Sequence, residues 1–162
     1  MMIRDEDRRL VERILGLQPG EGRASATSGL VPVKRQRPSM KQELERNLQA
    51  RFPRFFRDLY GDPRETGMSR GCEFADGWYR LLERLCEELE PVAPPEFRFD
   101  QVKEKFGEMR VHASGGNEET DRLIGWAREE SLRVCEACGA TEGVTTEWAE
   151  WLRTLCQSCR GL

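Results

Sequence analysis

Four cysteines near the end of the chain form two Cys-x-x-Cys pairs. Cys135 and Cys138 make the first pair, Cys156 and Cys159 make the second, and 17 residues separate the pairs. This spacing is typical of structural zinc sites, in which thiolates are the ligands. A two-residue gap turned as a tight knuckle directs two sulfurs at one point, and a hairpin would bring the second knuckle opposite the first. Gly139 directly follows the first pair, where such a knuckle often needs a positive φ.

Four thiolates would complete a tetrahedron around one metal ion per chain. A closed site of this kind leaves no position for a substrate, so we expect one structural Zn²⁺ and no catalytic metal. Iron could occupy the same sulfurs, because spacing alone does not separate the two metals. A thioredoxin-like redox pair is disfavoured, since it requires a Cys-x-x-Cys at a helix start after a βαβ pattern, which the chain lacks.

The first residues, MMIRDEDRRLVERILGL, carry charges throughout. A secretory signal would show an uninterrupted apolar core, and no stretch approaches the roughly 18 apolar residues that a membrane helix needs. We therefore expect a cytoplasmic chain with no membrane association. In that compartment, paired thiols ligate metals more often than they form disulfides.

The charge balance names no partner. The 26 basic and 29 acidic residues give a net charge of -3. No segment has the strong basic excess of a duplex-DNA binder. The basic residues that could contact a nucleic acid or an acidic partner are scattered, and comprise Lys34, Arg35, Arg37, Lys103, Lys105 and Arg110.

Composition divides the chain into four parts. Residues 1–17 carry apolar side chains at helical spacing and predict an N-terminal amphipathic helix. Residues 18–39 are rich in Gly, Ser and Pro and predict a flexible linker. An α+β domain is expected over 40–133, and a four-cysteine zinc-binding module packed on it is expected over 134–162.

A helix is predicted between Asp76 and Pro91. Asp76 is a favourable N-cap and Pro91 stops the helix. Cys72 and Cys86 have no partner at metal-ligand spacing and are interpreted as small buried hydrophobes. One face of the helix carries Trp78, Leu81, Leu82, Leu85 and Leu89.

The segment FRFDQVKEKFGEMRVHAS alternates apolar and polar residues at both ends. It predicts extended structure around a helical turn over 100–107, with Val102 and Phe106 buried. A further helix is expected over 117–133. The fold class is therefore α+β: a mainly helical small domain with a short antiparallel sheet and a C-terminal zinc-ribbon or treble-clef-like module.

Few residue patterns indicate catalysis. His112 is the single histidine, and it lies in a predicted strand on an exposed face, with no nearby nucleophile. The Gly-rich ASGGNEE lacks the Gly-Lys-Ser/Thr ending of a phosphate loop. We therefore expect a protein that is not an enzyme. A nuclease or hydrolase that uses His112 is the alternative.

Several motifs occur in one order: FADGWYRLLERLCEELEP, VKEKFGEMRVHA, SLRVCEACG and WLRTLCQSC. In these, the chain resembles a family of small proteins encoded by tailed bacteriophages and prophages. The resemblance covers about residues 40–160, with Met109 where Leu is usual and His112 where an aromatic residue is frequent. It implies a small α+β fold and residence in the host bacterial cytoplasm, and it supplies no activity.

Three functions follow as hypotheses. The leading one is a non-enzymatic phage accessory protein that binds a host or phage macromolecule, foremost a protein, to blunt host defence or redirect host machinery. The second is a nucleic-acid-binding accessory protein that uses the zinc module and the basic residues named above. The third is the cryptic hydrolase. Trp78 either anchors a partner or, as its helical spacing favours, fills the core.

Overall fold

The computed structural model describes residues 36–161. The predicted helix over 1–17, most of the predicted linker over 18–39, and the basic residues Lys34 and Arg35 lie outside the described residues. Within 36–161 the fold is α+β, with four α-helices and two small sheets. The α+β class predicted from the sequence is confirmed at this level.

Helix α1 spans Gln42–Arg51 and ends just before Pro53. Proline lacks an N–H and clashes with the preceding helical turn, so the chain leaves the helix at Phe52. The following turns place Phe55 and Phe56 in the core, where both rings contact Phe99. These aromatic contacts pack the N-terminal helix and turns against the sheet.

The first sheet has the order β1-β2-β3, with β1 at Cys72–Glu73, β2 at Arg98–Lys105 and β3 at Glu108–Ser114. Strand β1 runs parallel to β2, and β2 pairs antiparallel with β3. The helical turn predicted over 100–107 is wrong, because β2 continues through it to Lys105. Val102 and Glu104 are both buried, so the segment has the period of a strand. The hydrophobicity pattern does not show this period, because one of the buried residues, Glu104, is charged.

The β2–β3 connection is a two-residue turn formed by Phe106 and Gly107. Both residues have a positive φ, of 58° and 79°, as the tight hairpin turns that match strand twist require. The prediction that Phe106 is buried is wrong: 63% of it is exposed. Its place in the turn between β2 and β3, and not in either strand, leaves the ring largely in solvent.

Two helices cover the sheet. Helix α2 spans Tyr79–Leu89 and buries the predicted face, including Leu82, Leu85 and Cys86. Helix α3 spans Glu118–Ser131 and is capped by Asn117, as the predicted helix over 117–133 requires. The burial of Cys72 and Cys86 predicted from the sequence is also confirmed.

The expected role of Asp76 as the N-cap of α2 is wrong. A 3₁₀ turn over Asp76–Trp78 precedes α2, and the residue at the start of the helix makes no side-chain cap. The Asp76 carboxylate accepts the backbone N–H of Lys41 at 2.9 Å, at the start of α1. Its acidic side chain therefore stabilises a different helix N-terminus, one that only the tertiary structure brings close.

The second sheet is an antiparallel hairpin near the C-terminus. Strand β4 spans Val144–Trp148, strand β5 spans Leu152–Cys156, and a one-turn helix α4 follows at Gln157–Arg160. The hairpin therefore connects the region of Cys135 and Cys138 to that of Cys156 and Cys159.

The carboxyl group of Glu45 lies inside the domain, beneath α1. It accepts the backbone N–H of Cys72 at 2.5 Å and the hydroxyl of Tyr60. Burial raises the pKa of Glu45 from its ordinary 4.5 to about 7, although the Cys72 N–H and the nearby Arg46 oppose the shift. The folded protein therefore holds this proton more tightly than the unfolded chain does.

We expect Glu45 to make stability depend on pH between about 4.5 and 7. Since the pKa is raised on folding, its contribution is fully present below pH 4.5 and is lost as the pH rises to about 7. The loss should be roughly 1–3 kcal/mol in the free energy of unfolding, measured by urea denaturation across this range. Glu45→Gln should flatten the decline, whereas Glu43→Gln, at an exposed glutamate of the same helix, should retain it. A decline of equal slope in Glu45→Gln would contradict the assignment.

Candidate metal centre

The sulfurs of Cys135, Cys138, Cys156 and Cys159 all lie within 4.8 Å of one another and could hold a metal ion. The Sγ atoms of Cys138 and Cys156 are 3.7 Å apart. A tetrahedron with metal–sulfur bonds of about 2.3 Å has sulfur–sulfur edges of about 3.8 Å. A disulfide would need about 2.05 Å. The arrangement therefore fits one shared ion, and all four thiols are free.

The first pair lies on a knuckle closed by backbone hydrogen bonds. The N–H of Cys135 donates to the carbonyl of Ala140, and the N–H of Gly139 donates to the carbonyl of Cys135, both at 2.8 Å. Gly139 has a φ of 80°, so the positive φ predicted from the sequence is confirmed. A residue with a Cβ would be strained here, which explains the glycine.

The second pair is positioned by β5 and α4. Cys156 ends β5 opposite Val144 and is also the N-cap residue of α4. Cys159 lies within α4, three residues later. The strand therefore fixes the position of one sulfur, and the turn of helix brings the next sulfur back to the same point.

The surroundings of the sulfurs favour the ionisation of one thiol and oppose the ionisation of further thiols. Burial opposes ionisation of Cys135, but the backbone N–H groups of Cys156, Cys138 and Ala137 outweigh it and lower the pKa of Cys135 to about 7. The neighbouring sulfurs of Cys138 and Cys156 raise the pKa of Cys159 to about 12. A second or third thiolate therefore needs a cation among the sulfurs, as metal binding would supply.

The first knuckle packs against the segment Asp76-Gly77-Trp78. The N–H of Gly77 donates to the carbonyl of Glu136 at 2.8 Å, and the indole N–H of Trp78 donates to the carbonyl of Val134 at 2.8 Å. A methyl group at Gly77 would overlap the carbonyl oxygens of Cys135 and Glu136. Gly77 therefore permits the close approach of two backbones. Trp78 is fully buried, so its ring offers no face to a partner.

Glu136, inside the first Cys-x-x-Cys, joins the knuckle to two other segments, the one that contains Ala75 and strand β5. Its side chain is fully buried, accepts the N–H of Ala75 and pairs with Arg153 of β5 at 3.2 Å. Its backbone N–H donates to the carbonyl of Thr154 at 3.0 Å. The sequence pattern marks this position only as a spacer between ligands, so its role is visible only in the structure.

The C-terminal module has little apolar core of its own. Its buried hydrophobic cluster consists of Cys135, Cys156 and Leu155, so two of its three members are sulfur ligands of the candidate site. The domain core is separate and much larger, and its fully buried members extend only to Ala127. Packing alone therefore gives the module little stability.

The structure gathers some of the scattered basic residues around one depression. Arg37, Lys103 and Lys105 line it, together with Glu104 and Leu152 and the aromatic residues Phe106, Trp148 and Trp151. We call Arg37, Lys103, Lys105, Phe106, Trp148 and Trp151 the aromatic–basic surface. Arg110 is placed differently: it lies opposite Lys103 in the β2–β3 pair and forms an ion pair with Glu108.

The aromatic part of this surface escaped the sequence analysis. The sequence predicts Phe106 in the core, and the predicted hairpin between the cysteine pairs contains Trp148 and Trp151. Trp148 is 77% exposed. The spacing of Trp148 and Trp151 could have indicated exposed rings. Both tryptophans flank the turn of a predicted hairpin, where few core residues are available to pack against them.

His112 lies in β3 opposite Gln101 and is exposed, as predicted. Within residues 36–161, no nucleophilic side chain is hydrogen bonded to it. The described residues also contain no helix that is long and apolar enough to cross a membrane.

Comparison with known proteins gave no relative from which a function could be inferred. No family model, no curated protein and no solved structure matches the chain. The site geometry therefore carries the functional argument by itself.

We expect Gly77→Ala to destabilise the junction between the knuckle and the domain. The new methyl group overlaps two carbonyl oxygens that cannot move without shifting the knuckle, so the free energy of unfolding should fall by about 1–3 kcal/mol. Gly125→Ala is the matched control: nothing lies within 4 Å of its Cβ position in α3, and it should be neutral or stabilising by about 0.5–1 kcal/mol. Chemical denaturation of both variants tests this. A Gly77→Ala variant as stable as the wild type would contradict the role of Gly77.

Proposed function

We propose that the chain is a non-enzymatic binding protein whose C-terminal module is held together by one structural Zn²⁺. Two observations support this. The four sulfurs lie within 4.8 Å of one another, and the 3.7 Å between the Sγ atoms of Cys138 and Cys156 is close to the edge of a zinc–thiolate tetrahedron. Trp148 of the hairpin between them and Phe106 of the β2–β3 turn present exposed rings beside Lys103 and Lys105. The second observation carries the binding proposal, since clustered exposed aromatic residues on a soluble surface are typical of interaction sites.

Zinc is the metal that best fits the donor set and the fold around it. A closed set of four thiolates without an open position is typical of structural zinc sites. A knuckle, then a hairpin, then a short helix that carries the last ligand is the order of a treble-clef-like module. In this arrangement the metal supplies the cohesion that the small apolar cluster does not.

Purified protein should contain about one zinc per chain, measured by elemental analysis. Cys135→Ser or Cys156→Ser should release the metal, because three thiolates bind it much more weakly than four do. Cys86→Ala, at a buried cysteine outside the cluster, should retain it. Substitution by Co²⁺ should give the absorption bands of a tetrahedral thiolate site, and the same elemental analysis separates zinc from iron in the native protein.

Chelation of the metal should loosen residues 134–161 selectively. Hydrogen exchange should become fast there, while amides of α2, α3 and the β2–β3 hairpin keep their protection, since the domain core does not include the module. A wild-type protein that is free of metal and fully protected in both regions would refute the zinc proposal.

The binding partner that we propose is a host or phage macromolecule. The collinear motifs that resemble phage proteins support this origin, and blunting of host defence or redirection of host machinery would be the biological outcome. Because the proposal requires no turnover, His112 has no assigned role in it. Divalent-metal-dependent hydrolysis that is lost in His112→Ala would instead favour the hydrolase.

Affinity capture from a bacterial lysate tests whether the aromatic–basic surface binds a partner. The immobilised zinc-loaded protein should retain a macromolecule that Phe106→Ala/Trp148→Ala loses, because the exposed rings supply much of the contact. Leu132→Ala removes another exposed apolar side chain and should retain the partner. Identical retention by all three proteins would contradict a binding role for this surface.

A further inference from the structure

We propose that the aromatic–basic surface binds single-stranded nucleic acid, with bases stacked on Phe106 and Trp148 and phosphates held by Lys103 and Lys105. This inference rests on the proposed binding function and names the class of partner. It depends on the charge of the surface, the exposure of its rings and the rigidity of its centre.

The charge of the surface opposes that of the whole chain. Around the depression, Arg37, Lys103 and Lys105 carry three positive charges against the one negative charge of Glu104, a net of +2, whereas the chain carries -3. Glu104 is nearly buried and already pairs with Arg37. Among residues 36–161, Lys103 and Lys105 form no ion pair with an acidic side chain. Both ammonium groups are therefore available to a polyanion.

The rings are placed for stacking. Phe106 and Trp148 are 63% and 77% exposed, so each leaves much of its ring surface accessible. The guanidinium groups of Arg37 and Arg153 lie over the Trp151 ring, at 5.7 and 5.5 Å from its centroid. Lys105 lies 5.2 Å from the Phe106 ring. Aromatic rings interleaved with cations are the recurring arrangement of single-strand binding sites.

The turn that carries Phe106 is held rigidly. The Glu104 carboxylate accepts the N–H of Gly107 at 2.7 Å, and the Thr154 hydroxyl of β5 donates to the carbonyl of Gly107 at 2.5 Å. A Cβ at Gly107 would lie 2.6 Å from the Thr146 side chain. The hairpin of the metal module therefore clamps this turn. A ring fixed before binding loses less conformational freedom when a base stacks on it.

Phe106 is an unfavourable residue for this backbone conformation. A turn with a positive φ at both positions favours Asn, Asp or Gly at the first, and a bulky residue there is uncommon. The phenylalanine does not compensate by packing in the core, since it is exposed. Strained and exposed aromatic residues occur where a side chain serves binding.

A single strand fits these features better than the other polyanions. A duplex offers few accessible base faces, and three cations would neutralise few of its phosphates. An acidic peptide would meet the lysines but would leave the two exposed rings without planar partners. Only a strand with unstacked bases uses both parts of the surface.

Fluorescence anisotropy with a labelled thymidine oligonucleotide of about twelve nucleotides tests the inference on the zinc-loaded chain. We expect binding to the intact strand, with Kd rising as salt is added. An abasic strand of the same length should bind about tenfold or more weakly, because it keeps the phosphates and loses the bases. The corresponding duplex should also bind more weakly.

Variants separate the two parts of the surface. Phe106→Ala/Trp148→Ala should raise Kd on the order of tenfold to hundredfold with an unchanged salt slope. Lys103→Gln/Lys105→Gln should raise Kd and reduce the slope of log Kd against log salt by about 1.4, since each phosphate contact contributes about 0.7. The controls are Arg64→Gln, in a turn outside this surface, and Leu132→Ala, and both should bind as the wild type does.

Equal affinity for the abasic strand, no binding at low salt, or wild-type affinity in the double aromatic variant would each overturn the inference. The failure of the broader function looks different. If the lysate capture retains a protein through the same rings while oligonucleotides do not bind, the binding function stands and the nucleic-acid inference is wrong. If the lysate capture retains no macromolecule and no oligonucleotide binds, both the binding function and the nucleic-acid inference are wrong.

Discussion

The convergence of four cysteine sulfurs at one point is the constraint on which residues 134–161 depend. The hairpin of β4 and β5 has only a small apolar cluster, and two of the three buried members of that cluster are cysteines of the candidate metal centre. A shared cation would join the four sulfurs into one cross-link between the knuckle, β5 and α4. That cross-link would supply order where hydrophobic burial is scarce.

The module meets the domain through backbone contacts that tolerate little change. Gly77 lies directly against the first knuckle, and Glu136 ties that knuckle to Ala75 and to Arg153. From there β5 reaches the β2–β3 turn, where Thr154 holds Gly107. The same contacts that seat the metal module therefore also set the position of Phe106. In this way the cysteine cluster and the aromatic–basic surface are linked through one set of contacts.

Sequence reasoning succeeded where local chemistry decides structure. Cysteine spacing located the cluster, Gly139 marked the knuckle, and the apolar face of α2 followed its period. It failed where a residue acts across the fold. Asp76 caps α1 and not α2, Glu104 is a buried strand residue, and Phe106 is exposed. In each case the sequence prediction used only the neighbouring residues in the chain, whereas the position of the side chain depends on residues that are distant in sequence.

The sequence by itself determined that four thiolates can meet, that a helical and extended domain precedes them, and that the chain as a whole is slightly acidic. These are properties of spacing, period and composition, which need no knowledge of distant contacts. Only the tertiary structure decided which cations and rings share one surface. Arg37, Lys103 and Trp148 lie far apart in sequence. They are brought together by the register of the sheet and by the packing of the C-terminal module on the domain. Such convergence depends on how elements pack, and no local pattern encodes it.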